Sequence, residues 1–363
     1  MAGIKALRKL QLGREDAAGT AEDATTVWRG EGTIEDLSPV VFVAEDVGII
    51  GGTDRSYIPK KAATINFVPT PATYEQLPHI LDAGIMRALP AADGAGSGWI
   101  RTYNVPETSK PTIMTYTIEG GDDQQEEEFT YGFVRDFTLE GKAGEAWNMS
   151  AVWDGRQVDT GTYTASVTIP DVEEMLFSKN LLYIDAIGAA YGTTLKSNTL
   201  LAASLKYTTG WVPVFAADGQ LYFSFAKITK PEILLDVTFE HDGTAVTEIA
   251  ARLTETSRKI RIKCTGATLA TAGTTYSVKT MIIDLPGKWE SFTPLGEQDG
   301  NDIVTGTFRS RYNITAADAG QIVIVNEVSS LTLNPSASVS VSVSPSLSPS
   351  GSASPSPSVS PSA

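Results

Sequence analysis

Cysteine and histidine are nearly absent: one Cys264 and two histidines, His79 and His241, stand in 363 residues. A single thiol excludes an intrachain disulfide and a Cys-rich metal site. Cys264 alternates with Ile260 and Ile262, the pattern of a small buried apolar residue on a strand. Neither histidine has a second one at ligand spacing, and no His-Glu-x-x-His helix exists. Both read as structural histidines rather than catalytic bases. No Gly-x-Ser-x-Gly elbow or Walker motif occurs. Gly94 to Gly98 lacks the strand-to-helix context of a dinucleotide loop. Asp299-Gly300-Asn301-Asp302 lacks the rest of an EF-hand loop and reads as a turn. No catalytic, cofactor-binding or metal residue is assigned, and the expectation is a protein without enzymatic activity.

Basic charge is also scarce. Lys and Arg number 28 against 43 Asp and Glu, for a formal charge of −15. That balance argues against wrapping nucleic acid through phosphate contacts, which need a basic surface. It is compatible with DNA passing a surface that must not hold it. Apolar runs of the ~20 residues needed to span a membrane are missing. The N-terminus, MAGIKALRKLQLGRED, lacks the continuous apolar core of a signal peptide. The expectation is synthesis in a cytoplasm with no membrane partner. Asn148-Met149-Ser150 and Asn313-Ile314-Thr315 match the glycosylation triplet, but without a secretory signal they carry no weight.

Alternation is what the chain has in abundance. Phe129, Tyr131, Phe133, Phe137 and Leu139 occupy one side of a run in which Thr130, Asp136, Thr138 and Glu140 occupy the other. A second run sets Trp147, Met149 and Trp153 against Asn148, Ser150 and Asp154. Period two is that of a strand with one dry and one wet face. Gly141-Lys142-Ala143-Gly144 joins the runs into a long amphipathic hairpin. Arg135 interrupts the apolar row. An acidic loop, residues 120–128, leads in with Asp122, Asp123, Glu126, Glu127 and Glu128.

Residues 1–26 read as an N-terminal arm with a short helix over 4–10. Strands are expected at 26–28, 40–43, 64–68, 99–103, 112–119 and 163–169. A helix is expected to open with Thr70 as cap and Pro71 in its first turn, to bury Tyr74, Leu77 and Leu81, to kink at Pro78 and to end at Gly84. The second half repeats the plan, with strands at 199–207, 220–225, 233–239, 260–264, 278–284, 303–311 and 321–326. Its helix starts at Thr244, with Val246, Ile249, Ala250 and Leu253 on one face. Two β domains, 27–178 and 179–334, related by duplication or else forming one elongated β fold, account for this pattern. From 335 to 363 an uncharged Ser/Pro-rich text predicts a disordered tail.

Several stretches resemble the major tail tube proteins of long, non-contractile-tailed bacteriophages. They are TVWRG at 26–30 with VGIIGGTD at 47–54, ATYEQLP at 72–78, FTLEGKAGEA at 137–146 with WDGRQ at 153–157, FEHDGTA at 239–245 and KTMIID at 279–284. Together they touch most of residues 1–330, and none is a catalytic signature. The resemblance implies a mainly β chain of two β-sandwich domains, each with one short flanking helix. It implies self-assembly into rings that stack as a tube, with hairpins of neighbouring subunits joined in a β-barrel around a lumen that conducts DNA. Rings would hold six chains, or three if the halves are duplicates. Tail-tip, tail-terminator and tape measure proteins are the implied partners, and the virion tail, assembled in the host cytoplasm, is the implied location. On this reading Thr130, Asp136, Thr138, Glu140, Asn148, Ser150 and Asp154 face the lumen, and Asp122, Asp123 and Glu126 to Glu128 lie in the lumen or at ring contacts. Two other classes stay open: another virion β-protein, such as a decoration or fibre module, and a secreted carbohydrate-binding β-sandwich or glycosidase.

Overall fold

The computed structural model describes residues 3–331, so the predicted disordered tail at 335–363 lies outside the described residues. The protein is mainly β. In chain order the strands are β1 (Lys9–Arg14), β2 (Thr26–Trp28), β3 (Ile34–Asp36), β4 (Val41–Phe42), β5 (Ser56–Tyr57) and β6 (Ala63–Pro71). Helix α1 (Leu77–Gly84) follows, then β7 (Ala91–Ala92), β8 (Trp99–Asn104), β9 (Tyr116–Gly121), β10 (Glu126–Lys142), β11 (Asn148–Gly155) and β12 (Asp159–Thr160). The second half brings β13 (Asn180–Ala186), β14 (Leu195–Lys196), β15 (Leu200–Thr208), β16 (Trp211–Val214), β17 (Phe225–Ile228) and β18 (Glu232–Glu240). After helix α2 (Gly243–Leu253) come β19 (Arg258–Thr268), β20 (Val278–Phe292), β21 (Gly296–Gln298), β22 (Asn301–Ser310) and β23 (Gln321–Asn326).

Every pairing is antiparallel, and the order of pairing occurs twice. In the first half, β2–β1–β9–β10–β12 is one run and β3–β6–β11–β10 is another. In the second, β14–β13–β19–β20–β23 and β15–β18–β22–β20 repeat them. Each helix follows the same strand of its half, β6 or β18. Each half also inserts a detached hairpin at the same point, β4–β5 or β16–β17. The long strands β10 and β20 belong to both runs of their half, and the apolar core lies against them. Pairing of β10 with β15, from Asp136 opposite Thr208 to Lys142 opposite Ala202, joins the halves. Strand β8 crosses over to pair with β23. No path of pairings returns to its start, so the described sheets do not close into a barrel.

Register carries the likeness further. Val134 faces Trp153, which faces Ile65, and Trp289 faces Phe308, which faces Leu235. Immediately after Val134 and after Trp289 the register slips by one residue, at Arg135 and at Glu290. Gly132, two residues before Val134, lies opposite Tyr116, and Gly287, two before Trp289, lies opposite Arg258.

Strict alternation along β10 fails in an instructive way. Phe129, Phe137 and Leu139 enter the main core, as expected. Tyr131 and Phe133 do not: they pack with Trp211, Phe223 and Ala226 in a separate cluster under the β16–β17 hairpin. Val134, on the opposite parity, enters the main core instead. One slip lies between Phe129 and Gly132, and the second is at Arg135. Two one-residue slips restore the original parity, so the pattern reads as unbroken. Tyr131 takes a left-handed backbone (φ 58°). The buried Glu15 holds it there, accepting the Tyr131 amide at 2.7 Å together with the Gly19 amide and the Thr115 hydroxyl, each at 2.6 Å.

Other expectations are corrected. Residues 9–14, read as part of an arm, form β1 between β2 and β9, with Leu10 and Leu12 buried. Thr70 and Pro71 stay in β6, paired with Met149 and Asn148, so the helix cannot begin there. Pro78 sits in the first turn of α1, where its missing N–H costs nothing, and it starts the helix rather than kinking it. Residues 163–169 form no strand; Thr164 instead binds Glu119 through its amide and hydroxyl. Residues 220–224 precede the strand, which begins at Phe225. Helix α2 starts where expected, its first amides accepted by Asp242 at 2.8 and 3.0 Å. Its buried side, however, is Ala245, Glu248 and Ala251, and the Val246–Ala250–Leu253 face is exposed.

A buried polar cluster ties α1 to the sheets. His79 Nδ1 meets the Tyr116 hydroxyl at 3.1 Å, and Asp82 accepts from Arg14 at 2.8 Å and from the Ala88 amide at 3.1 Å. Burial, seconded by Arg14 and Arg101, pushes His79 down to about 3 from the usual 6.5. Burial outweighs Arg14 at Asp82 and lifts it from 3.8 to about 6. The unfolded chain therefore binds a proton that native His79 refuses between pH 3 and 6.5, which lowers stability as pH falls. Native Asp82 holds a proton that the unfolded chain releases between pH 3.8 and 6, which lowers stability as pH rises. Each acts with a slope of at most about 1.4 kcal/mol per pH unit, in opposite directions. His79→Asn should therefore give a stability that declines, relative to wild type, from pH 4 to 6. Asp82→Asn should give one that climbs over the same range. Urea midpoints across pH measure both, and parallel profiles for the two variants would refute the assignment.

Candidate functional site

The run β3–β6–β11–β10–β15–β18–β22–β20 crosses both halves as one sheet through the β10–β15 junction. One of its faces packs on the core: Ile65, Phe67, Phe137, Leu139, Leu205, Leu235, Val237 and Phe308 are buried there. Alternation turns polar residues to the other face. Register aligns Asn148, Glu140, Ser204, Asp236 and Thr307 in one row across five strands. The adjacent row is Ser150, Thr138, Lys206, Leu234, Arg309 and Lys288. A third sets Lys142, Ala202, Thr238 and Thr305 side by side.

Hydroxyls and paired charges dominate this face. Thr307 donates to Asp236 at 2.6 Å, Lys206 donates to the same carboxylate at 3.0 Å, and the Thr238 and Thr305 hydroxyls meet at 2.8 Å. Arg135 bridges Asp136 at 2.9 Å and Asp154 at 3.1 Å. Arg309 bridges Glu290 at 2.8 Å and also Glu232. Lys142 pairs with Glu145 at 2.9 Å and Lys288 with Glu255 at 3.7 Å. Each cation named on this face thus has a carboxylate of its own. Burial raises the Asp154 carboxyl, with Arg135 pulling it back. Such exposed pairs add little stability, but they cancel the charge that a phosphate would seek.

The structure brings Asp136, Thr138, Glu140, Asn148, Ser150 and Asp154 onto this one face. Thr130 lies apart from them, within the first slip, between Phe129 and Gly132, in the part of β10 next to β9. The acidic set is not one loop. Asp122 to Gln125 make the β9–β10 turn, while Glu126, Glu127 and Glu128 are strand residues opposite Gly121, Gly120 and Glu119. Asp123 accepts the Ile4 amide at 2.8 Å, which holds its carboxyl low. Glu128 is raised by burial and by its neighbours Glu119 and Asp159. At about 3.3 Å per strand residue, at most about 36 Å of β10 and two bulges separate Glu127 from Thr138, and the two sets adjoin different strands, β9 and β15. Half of the polar face comes from the second half of the chain, which alternation at 233–240 signalled without saying that it continued the first hairpin.

Among the described residues, no group of three or more His, Cys, Asp or Glu side chains is placed to hold a metal ion. No described helix is long and apolar enough to cross a membrane. Comparison with protein-family models gave no match, and comparison with curated proteins gave none.

Asp236 accepts from two side chains, Thr307 and Lys206, so Asp236→Ala should cost about 1–2 kcal/mol, the worth of a charge-assisted hydrogen bond to Thr307 plus an exposed pair with Lys206. Asp236→Asn should cost less than about 1 kcal/mol because the amide oxygen still accepts from Thr307. Equal losses for the two variants in urea unfolding would contradict this division.

Proposed function

We propose that this protein is a structural subunit that polymerises into rings stacked as a phage tail tube, with the polar sheet face lining a lumen that conducts DNA. The observation that carries the reading is the junction between the halves. Inside the chain, β10 of one half pairs with β15 of the next. The repeat counterparts of these strands are β20 and β3, and both have an unpaired edge: residues 288–292 pair with β22 alone, and β3 pairs with β6 alone. An open strand edge is a template for another chain, and closing a ring removes it. The same junction repeated between copies continues the sheet head to tail around a closed ring.

Each half, with two runs sharing one long strand around a core, is then a β-sandwich unit, and the chain is a duplicated pair whose first unit takes in β1 and the start of β2 ahead of residue 27 and whose second begins at 179. Three chains supply six units per ring. Register equivalence sets Thr293 of one copy opposite Glu35 of the next, as Thr138 stands opposite Lys206 within the chain. The amide of Val68 donates to Glu31 at 2.9 Å and that of Leu37 to Ala62 at 2.8 Å, so the β3 edge is held extended beyond its three residues. A lining whose cations are all paired lets DNA slide without sticking. The acidic β9–β10 end, at the opposite end of β10 from the β15 junction, is assigned to contacts between rings. Tail-tip, tail-terminator and tape measure proteins are the partners this role requires.

Negative-stain electron microscopy of the purified protein at high concentration should show six-lobed rings or hollow tubes. The double variant Glu35→Cys, Thr293→Cys should form covalent closed trimers on oxidation, and each single variant should not. Monomers at every concentration and salt, with no oxidised ladder, would overturn the tube reading. Replacing Asp122, Asp123 and Glu126 to Glu128 with lysine should block stacking while leaving single rings intact; unaltered tube length would remove the ring-contact role.

A further inference from the structure

Two of the exposed apolar surfaces among the described residues find one explanation in the repeat. Helix α2 presents Val246, 54% exposed, and Leu253, 71% exposed, with Ala250 between them. The β4–β5 hairpin pairs only with itself and presents Val40, Phe42 and Tyr57, at 55%, 69% and 55% exposed. Residues at i, i+4 and i+7 form one helix stripe, so the α2 surface is continuous.

The first half holds the template. His79 tethers α1 to Tyr116 of β9. Glu248 tethers α2 to the equivalent strand, accepting from Arg258 of β19 at 3.0 Å and from the Trp289 indole at 2.9 Å. Counted from these tethers, Val246, Ala250 and Leu253 correspond to Leu77, Leu81 and Gly84. Those three are buried. The second half covers that region of α1: Trp211, on the β16–β17 hairpin, donates its indole N–H to the Gly84 carbonyl at 3.0 Å, and Asn326 of β23 donates to the Tyr74 carbonyl at 2.7 Å. The β16–β17 hairpin is the repeat counterpart of β4–β5. Within one chain, then, the hairpin of the second half reaches the C-terminal end of the helix of the first. The hairpin of the first half and the helix of the second half are the two members of that contact left over.

We infer that the exposed face of α2 receives the β4–β5 hairpin of a second copy of this chain. Val40, Phe42 and Tyr57 of the incoming copy cover Val246 and Leu253, as Trp211 covers the end of α1. The contact is heterologous, each copy giving its hairpin to one neighbour and its helix to the other, so it propagates around a ring in the same direction as the β20-to-β3 pairing. This inference rests on the tube reading for the ring, and on the internal repeat for the identity of the surfaces.

The test uses the full chain. Cys264 is buried, so Leu253→Cys supplies one accessible thiol for a benzophenone-maleimide probe. An equal mixture of isotopically light and heavy protein is assembled, irradiated and digested. Cross-links between differently labelled chains, mapping from residue 253 to residues 37–62, are the expected result. In parallel, Val246→Glu with Leu253→Glu should keep the wild-type melting temperature as a monomer and raise the concentration needed for assembly at least tenfold. Wild-type rings with unchanged assembly of the double variant, or cross-links that map elsewhere, would overturn the docking while leaving the tube reading in place. A wild-type chain that never assembles would overturn both.

Discussion

The pairing of β10 with β15 is the contact on which the architecture turns. Seven register pairs, from Asp136–Thr208 to Lys142–Ala202, make two similar halves into one sheet. Without it, β10 and β15 would each keep an open edge. With it, one open edge of each kind remains per chain, on β20 and on β3. The edges left on β20 and β3 are the repeat counterparts of the two edges joined inside the chain. β10 can take part only because it leaves its first neighbours: residues 126–132 pair with β9 and residues beyond Phe133 with β11. The bulge at Arg135 lies near this change of partner, where an extra residue increases local twist.

Below the sheets, each half uses a different chemistry for the same attachment. In the first, a neutral histidine and an Arg14–Asp82 pair lie fully within the protein; burial disfavours charge on His79 and opposes it on Asp82. In the second, Glu248 is 2% exposed and is satisfied by Arg258 and the Trp289 indole. Removing one partner of such a buried pair typically costs about 3–5 kcal/mol, since the other is left unpaired. Both solutions place a helix at the same spot, but only α1 lies beneath the other half of its own chain. The apolar surface is the same in character on the two helices, and coverage alone distinguishes them.

The polar face follows from alternation together with neutralisation. Lys206 reaches diagonally to Asp236 on the next strand, Arg135 reaches from its bulge to Asp154, and Arg309 reaches Glu290 in the bulge of β20. Desolvation at a half-buried sheet surface favours such pairing over free cations. The face is therefore polar and hydroxyl-rich, and each cation named on it is paired with a carboxylate.

Much of this was legible in the sequence. Alternation marked β11 and β18 nearly residue by residue, β23 was placed at its observed bounds, 321–326, and Gly84 marked the end of the first helix. Period two reports which neighbours share a face, because that is a local property of extended backbone. It does not report partners. Strand β1 was hidden in a stretch of small and polar residues because its pairing with β9 joins residues some hundred positions apart. Tyr131 and Phe133 were assigned to the wrong face because two slips, one held by the distant Glu15, cancel in the count. The apolar stripe of α2 was read as a core face, which is what a stripe means when the cover lies in the same chain. The sequence by itself determined the strand-rich class, the end of the first helix and the start of the second. Only the tertiary structure decided register, which face of each element is covered and which edges stay open, because these depend on contacts between residues far apart in the chain, and no local period encodes them.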